Sequence, residues 1–197
     1  ENLVEVVNFD RTDAGAVFIV VELRKGEPLD AAIGRGPIEL HRALPIAYQI
    51  CRALQAAHDH QLVHRDLKPE NVFLEADGGV KLLDFGIAKL SSASVDVSGD
   101  TRPGEVLGTP RYMAPEQCVS SEVDHRADQY ALGVLIYEAL VGEPPFAGGF
   151  GRLVLAHTTQ EPTRLDERAP SIPRKVADVV HRALAKRPRD RFPDVAA

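Results

Sequence analysis

At 197 residues the chain is one domain or most of one, and its 44% hydrophobic and 26% charged residues fit a globular protein with a core of its own. A formal net charge of −6 gives a nucleic-acid role no support from bulk charge. The longest apolar stretch, Tyr130 to Val141, is interrupted by Gly133 and Glu138 and is too short to span a bilayer.

Residues 3–9 and 16–23 are apolar, β-branched runs joined by Asp13-Ala14-Gly15, which reads as strand, turn, strand. Residues 22–29 follow as a polar connector containing Gly26 and Pro28. From Leu44 to His60 the residues Ile46, Ile50, Ala53, Leu54 and Ala57 share one helical face, with Pro45 in the first turn, where its missing N–H costs nothing. Cys51 lies on this pattern as a small buried hydrophobe. With Cys118 it forms no metal or disulfide pattern, so both read as reduced thiols of a cytoplasmic protein. His58, His60 and His64 lack the defined ligand set of a zinc site.

Val72 to Glu75 and Val80 to Asp84 are short strands around Asp77-Gly78-Gly79, a hairpin signal. Ser91 to Ser98 is of low complexity. Ala127 to Leu140 is apolar nearly all round, which predicts a helix in the middle of the domain closed by Gly142. Pro173 to Lys186 is predicted as a helix turning Val176, Val179, Val180, Ala183 and Leu184 inward, and Arg191 to Ala197 as the start of another. Strands first and helices afterwards give an α+β domain.

Eight consecutive residues carry the chemistry: His64-Arg65-Asp66-Leu67-Lys68-Pro69-Glu70-Asn71. They place a carboxylate, an ammonium and a carboxamide in one short loop. These groups can take a proton from a hydroxyl, neutralise a moving phosphate and ligate a hard metal ion. Asp84-Phe85-Gly86 and then Ala114-Pro115-Glu116 follow. In this order the three motifs resemble the catalytic loop, metal-binding loop and activation-segment end of a protein kinase. The strings Lys68-Pro69-Glu70-Asn71 and Gly108-Thr109-Pro110-Arg111-Tyr112-Met113-Ala114-Pro115-Glu116 are similar to the serine/threonine branch, and Ala114-Pro115-Glu116-Gln117 resembles its bacterial (Hanks) type.

The resemblance covers nearly the whole chain and implies a protein-kinase-like fold. Residues 1–23 resemble the end of the small lobe, and residues 24–197 the hinge and the helical large lobe. It implies ATP and Mg2+ (or Mn2+) as cofactors and a protein substrate with a serine or threonine acceptor. Asp66 would be the base and Lys68 would stabilise the transferring phosphate. Asn71 and Asp84 would hold the metal, and Thr109 would bind Asp66 and Lys68. The adenine would lie between Val21, Glu22 and Arg24 of the hinge and an apolar floor containing Leu29 and Phe73. Arg65 would pair with a phosphate on the 91–109 segment, with Thr101 the preferred site of self-phosphorylation. Asp128 would tether the catalytic loop, Glu116 and Arg191 would form a buried ion pair, and His64 would stack beneath Phe85.

Before residue 64 there is no glycine-rich loop, strand lysine or helix glutamate of the kind this family uses. The chain is therefore expected to start inside the small lobe and to be inactive alone. A pseudokinase or scaffold stays open as an alternative. A small-molecule kinase of similar fold is disfavoured by the Ala114-Pro115-Glu116 segment.

Overall fold

The computed structural model describes residues 2–13, 15–84, 110–120 and 123–197. The first apolar runs form a hairpin, β1 (Val6–Arg11) antiparallel to β2 (Val17–Val21), with Phe9 opposite Ile19 and Asp10 opposite Phe18. Gly15, at φ +84, makes the turn and donates its N–H to the Thr12 carbonyl. Both strands are exposed along their whole length. Ahead of them, Leu3 bridges Leu82, and Asn2 donates to the Val80 carbonyl and to Gln49, which ties the hairpin's base to the main body.

A second sheet has the order β3 (Gly26–Pro28), β4 (Val72–Glu75), β5 (Val80–Leu82), all antiparallel. The polar connector expected over residues 22–29 is thus partly an edge strand. The reason is local: a Cβ on Gly26 would stand 2.0 Å from the Leu74 carbonyl oxygen, so only glycine lets β3 approach β4.

The helices are α1 (Leu29–Ile33), α2 (Leu40–Asp59), α3 (Arg126–Val141), α4 (Phe150–Thr159), α5 (Leu165–Arg168) and α6 (Arg174–Ala183). α3 lies at the centre, packed on α2, α5 and α6, with thirteen of its sixteen residues buried, as a helix apolar nearly all round requires. Gly142 ends it in the left-handed conformation at φ +88, its N–H on the Glu138 carbonyl. Gly133 lets α6 come close, since a Cβ there would meet Ala183 at 3.1 Å and Leu184 at 3.2 Å.

Several expectations are corrected. α2 begins at Leu40, so Pro45 is an interior residue; it faces solvent, where the backbone bond it cannot make is least costly. On α6, Ala177 and Val180 point inward together with Leu184 just beyond the helix, whereas Val179 is 56% exposed because it lies off that stripe. Cys51 is half-buried at the margin of the core, and burial pushes its thiol up to about 11. Residues 191–197 form bends and turns rather than a helix, although Asp194 accepts the N–H groups of Ala196 and Ala197 as an N-cap residue does. No helix among the described residues is long and apolar enough to cross a membrane.

Candidate active site

The loop from His64 to Asn71 runs between α2 and β4. α2 ends through Gln61, a left-handed residue at φ +61, with the Leu62 N–H returning to the Ala57 carbonyl. Leu67 is buried and anchors the loop, and Pro69–Asn71 form one 3-10 turn. Asp66 and Lys68 flank Leu67 and therefore point the same way, toward solvent. Lys68 Nζ lies 3.1 Å from Asp66 Oδ2, and both side chains are partly exposed.

His64 is completely buried and uses both ring nitrogens. Nδ1 accepts the Asp66 N–H at 3.3 Å, and Nε2–H donates to the Leu83 carbonyl at 3.0 Å. Accepting at Nδ1 and donating at Nε2 defines the neutral tautomer. One imidazole thereby holds the backbone at Asp66 and the backbone just before Asp84. Asp84 follows in the left-handed conformation, φ +48, with its carboxylate exposed.

Asn71 closes the arrangement. Its Nδ2 donates to the Asp66 carbonyl at 2.9 Å, and its own carbonyl accepts the Leu83 N–H at 2.9 Å. With the amide nitrogen committed, the side-chain oxygen is what Asn71 offers outward. Among the described residues neither that oxygen nor the Asp84 carboxylate has a partner. A hard carboxylate and a hard amide oxygen beside one loop suit a magnesium-type ion.

Asp128, at the start of α3, holds the loop from below. Its carboxylate accepts the N–H groups of His64 and Arg65, each at 2.9 Å, and lies 2.8 Å from His58 Nε2 at the end of α2. Arg65 is exposed and sits at φ +66. At the far side, Arg191 is buried and makes a two-pronged bond to Glu116, with 2.6 and 2.8 Å contacts, while also donating to the carbonyls of Arg126 and Ala185.

The hinge side differs from expectation in detail. Val21 is 42% exposed. Glu22 is engaged by Arg24 and by Lys81, and the hydrogen bond from Arg24 above all pulls its carboxyl down to about 2. Arg24 also lies 3.5 Å from Glu75. Leu29 is fully buried in the core, so it has no surface to offer a ligand, and of the two floor residues only Phe73 is partly exposed.

The protein kinase domain family matches residues 1–194. The chain belongs to that family. It is 42% identical to serine/threonine-protein kinase Pkn1 of Myxococcus xanthus over all of its own length and 28% of that protein. It is 40% identical to pkn3 of the same organism over 96% of the chain and 36% of the relative, and 41% identical to PknA of Mycobacterium tuberculosis over 89% and 39%. The chain thus spans roughly a third of the length of these relatives.

In this kinase domain the fold brings Asp66, Lys68, Asn71 and Asp84 together around His64. The side chains of Glu22 and Arg24 are instead spent on each other and on sheet-edge partners. Thr109, Thr101 and Phe85 lie outside the described residues, so the contacts expected of them lie there too. Two residues that sequence reasoning left without a role support the loop: Gln117 donates to the Arg65 carbonyl directly, and His58, read only as a metal candidate, bonds the Asp128 carboxylate that holds the loop. No local spacing links residues 58 and 128, or 65 and 117; only a map of which segments meet could have found them.

Proposed function

We propose that this kinase domain transfers the γ-phosphate of ATP to serine or threonine hydroxyls of a protein substrate. The observation that carries the reading is the Asp66–Lys68 pair, 3.1 Å apart, beside the side-chain oxygens of Asn71 and Asp84, which have no partner among the described residues. Asp66 accepts the proton of the attacking hydroxyl, a contribution of roughly 10²–10⁴-fold in rate. Lys68 is close enough to share its charge between Asp66 and the phosphate oxygens during transfer. Asn71 and Asp84 are the residues that would hold Mg2+ or Mn2+, which supplies charge neutralisation at the phosphates when bound. His64 keeps both halves of the site in register through the backbone.

The hinge after Val21 would meet the adenine through its main chain, since the Glu22 and Arg24 side chains are occupied, with Phe73 beneath. Residues 1–23 act as the end of the small lobe and residues 24–197 as hinge and large lobe. Thr109 would bind Asp66 and Lys68, and Arg65 would pair with a phosphate acquired by the 91–109 segment through self-phosphorylation. Use of ATP would suit a domain that works in the cytoplasm.

The test uses the full-length protein. Asp66→Asn is expected to lower peptide phosphorylation by about 100-fold or more while ATP binding, followed with a fluorescent analogue, persists. Near-normal turnover would remove Asp66 as the base. Asp84→Ala is expected to weaken metal-dependent nucleotide binding sharply, and an unchanged metal titration would refute its role as ligand.

A further inference from the structure

Arg65 stands at φ +66, a left-handed conformation that an L residue other than glycine adopts at a cost. Two side chains hold it there. Asp128 Oδ1 accepts its N–H at 2.9 Å, and Gln117 Nε2 donates to its carbonyl at 2.9 Å. That carbonyl belongs to the peptide joining Arg65 to Asp66. The N–H of the same peptide goes to His64 Nδ1 at 3.3 Å. The peptide plane immediately before Asp66 is therefore gripped on both edges, by Gln117 on one and by His64 on the other.

The orientation of the Gln117 amide is set by its second bond. Oε1 accepts the Ala114 N–H at 3.0 Å, which leaves Nε2 facing Arg65. The position needs an acceptor and a donor on one short planar group. A glutamate carboxylate has no donor and would oppose the Arg65 carbonyl; a methionine of similar length offers neither. Gln117 lies in the turn Pro115–Cys118, whose Glu116 is locked to buried Arg191. The turn is thus a fixed post from which a single side chain reaches the catalytic loop.

We propose that Gln117 is a positioning residue that couples this turn to the catalytic loop, fixing the plane of the Arg65–Asp66 peptide and so the direction of the Asp66 carboxylate. The inference rests on the kinase reading of Asp66. A shift of the turn rotates the plane, and Asp66 turns with it. Gln117 has no contact with Lys68, Asn71 or Asp84 that would make nucleotide binding depend on it directly.

The test compares Gln117→Met and Gln117→Glu with the wild type in the full-length protein. Both variants are expected to lower kcat by about tenfold or more, the scale on which small misplacements of a reacting group act, while the KM for ATP stays nearly unchanged. Site-resolved amide hydrogen exchange supplies a readout independent of turnover. The Asp66 N–H should exchange faster in both variants, while the His64 and Arg65 N–H groups, held by Asp128, keep their protection. Wild-type kcat together with wild-type exchange at Asp66 overturns the proposal. So does an equal loss of protection at all three amides, which would make Gln117 a support of the fold alone. A wild-type protein without phosphotransfer counts against the kinase reading, and the Asp66 amide then still decides for or against Gln117.

Discussion

His64 and Asp128 show how buried polar residues act in this protein: each serves several backbone groups at once. The Asp128 carboxylate is 1% exposed and takes two backbone N–H groups and the His58 ring. Replacing one carboxylate oxygen with an amide nitrogen turns an acceptor into a donor facing a donor. Asp128→Asn is therefore expected to lose about 1–3 kcal/mol or more of stability, because a buried N–H is left unsatisfied. Denaturant unfolding of the variant measures this, and an unchanged midpoint would mean that the loop is held by other contacts. Phosphotransfer should fall with it, since the same bonds place Asp66.

At the scale of elements, the separate pieces meet at a few close approaches. Gly26 lets β3 touch β4, Gly133 lets α6 touch α3, and the Glu116–Arg191 bond joins the turn at residues 115–118 to the segment after α6. Arg191 has no exposed side-chain surface, so removing its partner strands a charge inside the protein. Glu116→Gln is expected to cost about 3–5 kcal/mol, whereas an exposed pair such as Arg187–Asp190 is worth at most about 1 kcal/mol. Parallel unfolding curves of Glu116→Gln and Asp190→Asn check the contrast, and equal small losses would show that Arg191 is satisfied by its carbonyl partners alone. The same post supports Gln117, so the Glu116 variant should also lower kcat.

Across the whole molecule, a buried cluster around His157 makes stability depend on pH. His157 is wholly buried, bonded through Nδ1 to the Tyr130 hydroxyl at 2.9 Å and packed edge-on against Phe146. Burial, with the nearby charge of Lys186 adding to it, holds its imidazole down to about 4 from an ordinary 6.5. Between those values the unfolded chain binds a proton that the folded chain refuses. Stability therefore falls as pH drops from 6.5 toward 4, by up to about 1.4 kcal/mol per pH unit from this group. Denaturant midpoints measured from pH 7.5 to 5 should show a steeper acid slope for the wild type than for His157→Gln. Identical slopes would mean that other groups carry the acid sensitivity.

Much of this was legible in the chain itself, and the legible part is the part that is local. The hairpin at residues 6–21, the largely apolar helix at 126–141 with its glycine stop, and the eight-residue loop all depend on neighbours within a few positions, so composition and spacing reveal them. The chemical types at Asp66, Lys68, Asn71 and Asp84 were legible for the same reason. What only the tertiary structure decided is which distant groups meet: β3 as an edge strand, the early start of α2, Val179 turned outward, Leu29 sunk in the core, and Glu22 and Arg24 spent on each other and on sheet-edge partners. Those outcomes depend on how elements pack and on which buried donors must find acceptors. His58 and Gln117 belong to this second group, because a hydrogen bond between residues 58 and 128, or 65 and 117, exists only once folding has removed the water that would otherwise satisfy both ends.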